Sequence, residues 1–240
     1  MSTTQPAVVL GASGSVGGAL IDELIRSGAF RPIVTLVRRS QPEQVAQARA
    51  AGVELREVVL PQMSAAQVEA ATLEAVGAID ATWAGLSVLG VGGGTAKLTL
   101  EAHRAVDVQL NAAFARGLSA SGKVAHLAFM SAGGADPSAS ETGSGAAGMA
   151  RYNRVKGEAE EAVKAGGPRV VSIFRPGLIV GSRHTPWVLE KVLPLFSFVT
   201  PEKYKSITVR QIAKAMVETC RHPPAATAVL HYPEMLALNR

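Results

Sequence analysis

A tyrosine and a lysine four residues apart are the side chains of this sequence best suited to proton transfer. They stand in the segment Tyr152-Asn-Arg-Val-Lys156, and this spacing places both on one face of a helix. An ammonium beside a phenol stabilises the phenolate form, which allows a tyrosine to exchange a proton near neutral pH. Such a group supplies the proton that an alkoxide needs when a carbonyl is reduced. The pair therefore predicts carbonyl–alcohol chemistry, with Tyr152 as proton donor or acceptor and Lys156 as its assistant.

Glycines follow the first apolar run at a spacing that suits a phosphate group. Residues 7–10 lead into Gly11-Ala-Ser-Gly-Ser-Val-Gly17, and a helical pattern follows directly. Glycines allow a tight turn and a close approach of the backbone, while a helix N-terminus offers N–H groups and a positive dipole. The spacing is GxxGxxG rather than GxGxxG, and its position favours a dinucleotide site over a purely structural turn. The predicted contacts are Gly11, Ser13, Gly14, Ser15, Val16 and Gly17.

The end of the second apolar run indicates which dinucleotide binds. The run ends Leu36-Val-Arg-Arg39, and no acidic residue follows before Glu43. Enzymes that bind NAD usually carry an acid there for the ribose 2′-hydroxyl, whereas arginine can hold a 2′-phosphate with two hydrogen bonds. Arg38 and Arg39 therefore favour NADP(H). The alternative is that one or both arginines are simply solvated at the surface.

These residues need a scaffold, and the apolar pattern predicts alternating strands and helices. Predicted strands cover residues 7–10, 32–37, 53–60, 78–84, 124–130 and 170–174, and predicted helices cover 16–26, 43–51, 67–76, 97–119 and 151–164. Such alternation is typical of a parallel sheet with helices on both faces. The predicted fold is therefore α/β, a Rossmann-type doubly wound parallel sheet.

The last quarter of the chain follows a different pattern. Three prolines interrupt the apolar residues of the segment 178–205, which predicts short helices and loops. Thr208 and Gln211 then form a capping-box pattern ahead of a helix with one apolar face. We expect a single domain over residues 1–240, in which residues 178–240 form a small elaboration on the substrate side.

Composition narrows the class of protein. The net charge is +5, but the basic residues are scattered and are not interleaved with aromatic residues, which argues against nucleic-acid binding. No apolar stretch approaches the roughly 20 residues of a membrane span, and the N-terminal residues lack a signal-peptide core. Cys220 is the only cysteine, and the five histidines lack metal-ligand spacing. We expect a cytoplasmic protein without a metal, and the composition allows a homodimer.

Several motifs together resemble one family. They lie in residues 9–14, 36–39, 130–136, 152–160 and 172–177. In order and spacing these motifs resemble the atypical short-chain dehydrogenase/reductases, in which Tyr-x-x-x-Lys is the catalytic signature. Within that superfamily the chain is most similar to the Tat-interacting-protein-like oxidoreductases. The resemblance runs from about residue 8 to residue 217 and implies the fold and the NADP(H) cofactor more strongly than the substrate.

The resemblance also implies roles for individual residues. Lys156 would bind the ribose hydroxyls of the cofactor in addition to assisting Tyr152, and Ser131 would hold the substrate oxygen. The sequence departs from the usual pair of serines because Ala132 follows Ser131. If the active hydroxyl of the family belongs to the second position, this chain lacks it.

Three further segments are expected to face the nicotinamide or the substrate. The resemblance places Arg175, Pro176 and Gly177 along the nicotinamide, although a turn after a strand would use the same residues. Residues 133–150 are rich in Gly, Ser and Ala, and a loop of this length predicts either a mobile cover or disorder. His184 is expected to flank the substrate. Trp187, Leu193, Leu195 and Phe196 follow, and they would serve either as the apolar wall of a pocket or as ordinary core packing.

Three functions remain open at this point. The leading hypothesis is an NADP-dependent oxidoreductase that acts on a small carbonyl or alcohol substrate. The main alternative is a regulatory protein that senses NADPH and signals through a partner, for which the missing second serine leaves room. Retention of both Tyr152 and Lys156 favours the enzyme, because a sensor needs no phenol there. A nucleotide-sugar epimerase is the third alternative, although the sequence shows no evident pocket for such a substrate.

Overall fold

Parallel strands form the centre of the computed structural model, which describes residues 4–92, 95, 98–141, 146–181, 202 and 205–240. The strands are β1 (Gln5–Leu10), β2 (Phe30–Val37), β3 (Leu55–Val59), β4 (Ala84–Ser87), β5 (His126–Met130), β6 (Val170–Phe174), β7 (Ile179–Val180), β8 (Ile207–Thr208) and β9 (Ala228–Leu230). Within the described ranges, seven of them make one sheet in the order β3-β2-β1-β4-β5-β6-β9, and β7 pairs separately with β8.

Helices cover both faces of this sheet. They are α1 (Ser15–Ser27), α2 (Pro42–Ala50), α3 (Ala65–Gly77), α4 (Leu100–Arg104), α5 (Asn111–Ala120), α6 (Ala146–Gly166), α7 (Val209–Arg221) and α8 (Tyr232–Ala237). One apolar layer holds the buried side chains of α1 and α7, and the other holds those of α3, α5 and α6. Because side chains alternate along β1, Val9 enters the first layer and Leu10 the second. The predicted Rossmann-type α/β fold is confirmed.

The strand order reverses at β1, and this reversal locates the site. β1 pairs with β2 on one side and with β4 on the other. In doubly wound sheets a ligand binds in the crevice outside the carboxyl ends of the strands where the order reverses. The loop after β1 and the loop after β4 therefore border the position where a ligand is expected.

The fourth strand lies further along the chain than the predicted range 78–84. Helix α3 continues to Gly77, a turn follows, and the strand occupies Ala84–Ser87. Sequence patterning missed this range because glycine has a low intrinsic preference for strands. Tertiary packing favours glycine here, because a Cβ on Gly85 would lie only 2.6 Å from Cδ1 of Leu118 in α5. Any larger residue at this position would require the side chain of Leu118 to shift.

A π-helical turn divides the helix predicted over residues 97–119. Helix α4 ends at Arg104, the π-helical turn covers Ala105–Leu110, and α5 begins at Asn111. Such turns insert an extra residue into a helix and are frequent at functional sites. The polar side chains of His103, Asp107 and Asn111 are all buried along this stretch.

The C-terminal residues belong to the body of the domain more than to a separate elaboration. Helix α7 packs against α1, and β9 extends the main sheet beside β6. The capping box of Thr208 and Gln211 is present at the start of α7, and Cys220 lies on the buried face of that helix. Among the described residues of the range 178–240, the apolar face of α7 enters the core beside α1. The substrate-side role predicted for this range stays a prediction. The three-residue strand β9 was too short to predict from its pattern.

Residues 133–150 differ from the long open loop that their composition predicts. Helix α6 begins at Ala146, so the end of the segment is helical. At its start, Gly133 N donates to Pro176 O at 2.8 Å, and Asp136 N donates to Asn153 O at 2.9 Å. A Cβ on Gly157 of α6 would overlap the backbone of Asp136 and Pro137. The beginning of the segment is therefore packed against α6 and does not form a free cover.

Candidate active site

Two glycines shape the turn between β1 and α1. Gly11 has φ of 93°, a conformation that favours glycine, and a Cβ on it would lie 2.6 Å from the amide nitrogen of Leu89. A Cβ on Gly17 would overlap the carbonyl oxygen of Gly11. These close approaches allow α1 to begin directly beneath the turn, as the packing of a phosphate-binding loop requires. Gln44 of α2 supports the turn by donating from Nε2 to Ala12 O at 3.0 Å.

The N-terminus of α1 faces outward beside Gly14 and Ser13, which are both exposed. Gly14, which has no side chain that could cap the helix, is the N-cap residue, and the first turn contains no acidic residue. A Cβ on Gly14 would meet nothing nearer than 3.6 Å, so glycine here leaves space open rather than relieving a clash. The first turn contains Ser15, Val16 and Gly17. Its backbone N–H groups and the helix dipole suit a pyrophosphate.

Arg38 and Arg39 follow β2, and both are exposed. Neither guanidinium has a hydrogen-bond or ion-pair partner among the described residues. The carboxylate of Glu57 in β3 accepts hydrogen bonds from Ser40 Oγ at 2.5 Å and from Gln41 N at 2.7 Å, and it forms no ion pair with either arginine. Both arginines are therefore available to an anion beyond the end of β2.

These features together fit a dinucleotide phosphate better than a structural turn. A structural turn explains the close packing of Gly11 and Gly17. It does not require glycine as the N-cap of α1, or two guanidiniums that have no partner among the described residues. A pyrophosphate suits the first of these, and a ribose phosphate suits the second. The residues present thus match the group that the sequence predicts.

Tyr152 and Lys156 lie together on α6, as their spacing predicts. Lys156 Nζ is 5.9 Å from the centroid of the Tyr152 ring. Tyr152 is half-buried, whereas Lys156 is only 2% exposed. A phenol open to a ligand and a buried ammonium behind it are the arrangement that proton transfer through Tyr152 needs.

Lys156 is paired with Asp107 of the π-helical turn. Lys156 Nζ lies 2.8 Å from Asp107 Oδ1, and both side chains are buried. Burial acts to raise the pKa of Asp107, but the charge of Lys156, with help from His103 and the Val91 amide, holds this pKa at about 2. Burial acts to lower the pKa of Lys156, but Asp107, followed by Tyr152 and Glu160, raises it above its ordinary value. Both partners are therefore charged at neutral pH.

His103 is also part of this buried cluster. Its ring stacks on the phenol with centroids 6.0 Å apart and planes inclined by 19°. His103 Nε2 is 3.7 Å from Asp107 Oδ2, which is longer than a hydrogen bond. Among the described residues neither ring nitrogen has a hydrogen-bond partner. Sequence reasoning missed both His103 and Asp107, although polar residues at 103, 107 and 111 follow helical spacing in a largely apolar stretch.

Ser131 lines the same cavity as Tyr152, but its hydroxyl proton is donated to a residue of the protein and not to the cavity. Ser131 Oγ donates to Glu160 Oε1 at 2.5 Å, and both residues are buried. Arg175 donates to the same carboxylate through two hydrogen bonds of 2.8 and 2.6 Å. Because the proton of Ser131 points to Glu160, the serine offers a ligand an oxygen lone pair rather than a donor. Glu160 was not predicted, and its position four residues after Lys156 was the available signal.

The residues after β6 are largely occupied within the protein. Arg175 N donates to Leu230 O, and Pro176 O accepts from Gly133 N, both at 2.8 Å. The Arg175 side chain holds Glu160 as described above. Of the three residues expected along the nicotinamide, Gly177 is therefore the one whose backbone is best placed to meet a ligand.

A cavity of about 460 Å³ brings the predicted reacting residues together. Ser131, Tyr152, Pro176 and Gly177 are among its lining residues. Apolar side chains also line it, namely Met149, which is 56% exposed, and Leu178, which is 43% exposed. The cavity is large enough for a small organic molecule, and none of its described lining residues carries a formal charge.

Two other observations limit what is assigned to the site. A larger cavity of about 600 Å³ lies between α1, α2 and α7, and none of the predicted site residues lines it. His184 and the predicted apolar wall of Trp187, Leu193, Leu195 and Phe196 lie outside the described residues. The cavity beside Tyr152 is therefore assigned from residues 131–134, 149, 152–153 and 176–179 alone.

Comparison with known sequences identifies a family and two fungal relatives. A family model described as NAD(P)H-binding matches residues 11–223, which include the glycine turn, Tyr152 and Lys156. The chain is 28% identical over 199 residues to the protein "fmp52, mitochondrial" of Emericella nidulans, a match that covers 83% of this chain and 77% of that protein. It is 31% identical over 175 residues to the protein of the same name from Aspergillus clavatus, covering 73% of this chain and 67% of that protein.

Comparison with solved structures agrees on the fold. A short-chain dehydrogenase/reductase from Serratia marcescens superposes with a TM-score of 0.68 at 16% identity, covering 95% of this chain and 97% of that one. The anaerobillin reductase ChuY of Escherichia coli O157:H7 superposes with a TM-score of 0.60 at 17% identity, covering 95% of this chain and 98% of that one. At such low identities the likeness establishes the Rossmann-like fold and nothing finer.

Proposed function

The chain belongs to the NAD(P)H-binding family, and from this premise we propose that it is an NADP(H)-dependent oxidoreductase that interconverts a carbonyl and an alcohol. The observation that carries the proposal is the position of Tyr152 in the wall of a cavity of about 460 Å³, with the buried ammonium of Lys156 behind it. The finer resemblance to atypical short-chain dehydrogenase/reductases of the Tat-interacting-protein-like type forms part of this proposal.

The cofactor would be held along the carboxyl ends of the strands. The turn of Gly11, Gly14 and Gly17 and the first turn of α1 bind the pyrophosphate, and Arg38 and Arg39 bind the 2′-phosphate. Ser13 and Ser15 lie beside the same phosphates, and Val16 contributes its backbone. Lys156 binds the ribose hydroxyls, and the backbone of Pro176 and Gly177 borders the nicotinamide. When bound, the cofactor supplies or accepts the hydride.

A side chain of the protein supplies and accepts the proton. Tyr152 donates it to the substrate oxygen during reduction and accepts it back during oxidation. The ammonium of Lys156 stabilises the phenolate that Tyr152 becomes after donation. Ser131 accepts rather than donates a hydrogen bond, because its own proton is bound to Glu160. Tyr152 is therefore the hydroxyl donor for the substrate oxygen in this proposal.

The substrate is proposed to be a small, uncharged and partly apolar carbonyl or alcohol compound. Methionine and leucine side chains stand exposed at the cavity, and its described lining residues are uncharged. A charged substrate would lose its hydration there without gaining an opposite charge. Aldehydes, ketones and quinones without ionised groups are the classes that suit such a lining.

One observation favours the alternative of an NADPH sensor. The hydroxyl of Ser131 is bound to Glu160, and Ala132 occupies the position where a second serine would supply a donor. A cofactor-binding protein without turnover would need no donor at this position. The exposure of Tyr152 to the cavity favours the enzyme.

A single experiment separates these proposals. NADPH oxidation is followed with a panel of neutral aldehydes, ketones and quinones, and NADPH binding is measured in parallel by fluorescence. We expect turnover of at least one neutral carbonyl compound and none of its carboxylated analogue. Tight NADPH binding without turnover of any panel member would favour the sensor. Absence of NADPH binding would contradict both.

Compartment and partners remain predictions. No helix among the described residues is both long enough and apolar enough to cross a membrane. Within the same residues no group of three or more His, Cys, Asp or Glu side chains is arranged to hold a metal ion. The names of the two fungal relatives place those proteins in mitochondria, so the cytoplasmic location predicted for this chain stays a prediction. A homodimer and the absence of nucleic-acid partners have the same status.

A further inference from the structure

Asp107 is the buried side chain that the proposed mechanism has not yet used. We propose that Asp107 is a positioning residue, whose carboxylate holds the ammonium of Lys156 at the place from which it serves both Tyr152 and the ribose. This proposal rests on the proposed function and adds to it a residue outside the predicted site.

The space around the ion pair is restricted on the side of the loop after β4. Lys156 Nζ and Asp107 Oδ1 are 2.8 Å apart. A Cβ on Gly90 would lie 2.9 Å from Lys156 Nζ and 3.0 Å from Asp107 Oδ1. The pair therefore fills the space that glycine leaves at position 90. A larger residue at position 90 would therefore displace the ion pair.

Asp107 is itself held by hydrogen bonds at both its side chain and its backbone. Its Oδ2 accepts a hydrogen bond from Val91 N at 2.9 Å. Its backbone oxygen accepts from Asn111 Nδ2 at 2.8 Å, and Asn111 Oδ1 accepts from Ser87 Oγ at 2.5 Å. These bonds connect the π-helical turn to the end of β4, next to the crevice where the strand order reverses. A support of this kind sets the position of the lysine that it contacts.

The charge of Lys156 also requires a nearby carboxylate. A buried ammonium without a counter-ion favours its neutral form. The other titratable groups near Lys156 are Tyr152 and Glu160 on its own helix, and His103 of α4 lies beside Asp107. Among the described residues, Asp107 is the one carboxylate within ion-pair distance of Lys156. Removal of its charge would leave the ammonium buried and unpaired.

The test removes the charge of Asp107 with little change in the size of the side chain. Asp107→Asn removes the negative charge, and Asp107→Glu retains it. Glu158→Gln is the matched control, because Glu158 is an ion-paired carboxylate of α6 whose partners are Arg104 and Arg154 rather than Lys156. Lysine side chains are labelled with ¹³C, and the Cε resonance of Lys156 is assigned by its loss in Lys156→Arg. Titration of the cofactor-free protein from about pH 6 to about pH 10 follows the charge of the ammonium directly.

We expect Lys156 to remain an ammonium over this range in the wild type and in Glu158→Gln. In Asp107→Asn it should titrate about 1–3 pH units lower. The dissociation constant for NADPH, measured by fluorescence, should rise roughly tenfold in Asp107→Asn and rise further with increasing pH as the lysine loses its proton. Asp107→Glu should restore most of the affinity, since it restores the charge.

Two results would overturn the proposal. One is titration of Lys156 below about pH 9 in the wild-type protein, which requires no variant and therefore decides the matter even if Asp107→Asn does not fold. The other is a folded Asp107→Asn protein with the titration and NADPH affinity of the wild type. A wild type that binds or turns over no NADPH would contradict the proposed function. The titration of Lys156 would still give its answer in that case, because it uses cofactor-free protein.

Discussion

The turn after β1 and the buried cluster around Lys156 belong to one proposed site but are built in different ways. The turn uses consecutive residues, and its essential feature is the close approach of backbone atoms at Gly11 and Gly17. The cluster uses side chains from α4, the π-helical turn and α6, and its essential feature is the pairing of Lys156 with Asp107. The two regions also differ in exposure, because Ser13 and Gly14 are open to solvent whereas the cluster is buried.

This difference suggests how each region responds to substitution. At the phosphate end, an exposed side chain contributes to binding without supporting the fold, while a glycine is sensitive to any added atom. At the reacting end, a side chain is a member of a buried network, and removal of one member leaves another unpaired. Substitution of an exposed side chain at the phosphate end should therefore change mainly cofactor affinity. Substitution in the buried cluster should change turnover and, where it affects Lys156, cofactor affinity as well.

The largest expected effect is on turnover, at the reacting end. Tyr152→Phe removes the hydroxyl and keeps the ring that stacks on His103, so turnover should fall by roughly 10²–10⁴ while NADPH affinity barely changes. Steady-state kinetics on a substrate from the carbonyl panel and fluorescence titration measure the two quantities. Tyr232→Phe on α8 is the control and should behave as the wild type. Equal turnover of Tyr152→Phe and the parent protein would refute the catalytic role of the phenol.

The next effect tests whether the turn depends on backbone contact. Gly17→Ala places a Cβ against the carbonyl oxygen of Gly11 and should lower the free energy of unfolding by about 1–3 kcal/mol. Gly18→Ala is the matched control, because its Cβ would meet nothing nearer than 3.9 Å and should stabilise α1 by about 0.5–1 kcal/mol. Urea unfolding of both variants gives the comparison. Equal stabilities would mean that the close approach at Gly17 is not required.

A smaller effect is expected from the exposed arginines. Unmodified protein should bind NADPH about tenfold more tightly than NADH, which corresponds to about 1.4 kcal/mol. Replacement of Arg38 and Arg39 by Ala should remove most of this preference and leave the fold unchanged, since both side chains are exposed. Arg49→Ala on α2 serves as the control for loss of a positive charge. Calorimetry that finds equal affinities in the unmodified protein would contradict the assignment of NADP(H).

The smallest effect is expected at Ser131, although it lies beside Tyr152. Its proton is donated to Glu160, which Arg175 continues to hold after the serine is removed. Ser131→Ala should therefore reduce turnover by less than about tenfold, well below the loss for Tyr152→Phe. Kinetics on the same substrate provide the comparison. A loss as large as that of Tyr152→Phe would show that the hydroxyl turns to the substrate during the reaction.

The sequence by itself determined the features that depend on neighbouring residues. The alternation of apolar runs predicted the parallel sheet with helices on both faces. Five of the six predicted strands overlap β1, β2, β3, β5 and β6, whereas the fourth strand lies at Ala84–Ser87 and not at residues 78–84. The glycine turn, Arg38 with Arg39, and Tyr152 with Lys156 were also predicted, because a helix or a strand-to-helix turn sets their relative positions over a few residues. The structure places Tyr152 with Ser131, Pro176 and Gly177 around one cavity.

Only the tertiary structure decided which buried groups are paired. Asp107 meets Lys156, and Ser131 shares Glu160 with Arg175, through contacts between residues that are distant in the chain. Short elements depend on tertiary structure in the same way, because β9 exists through its pairing with β6 rather than through its own three residues. The local sequence pattern indicates the conformation that a segment prefers. The partner of a buried charge or of a strand edge depends instead on which segments the completed sheet brings together.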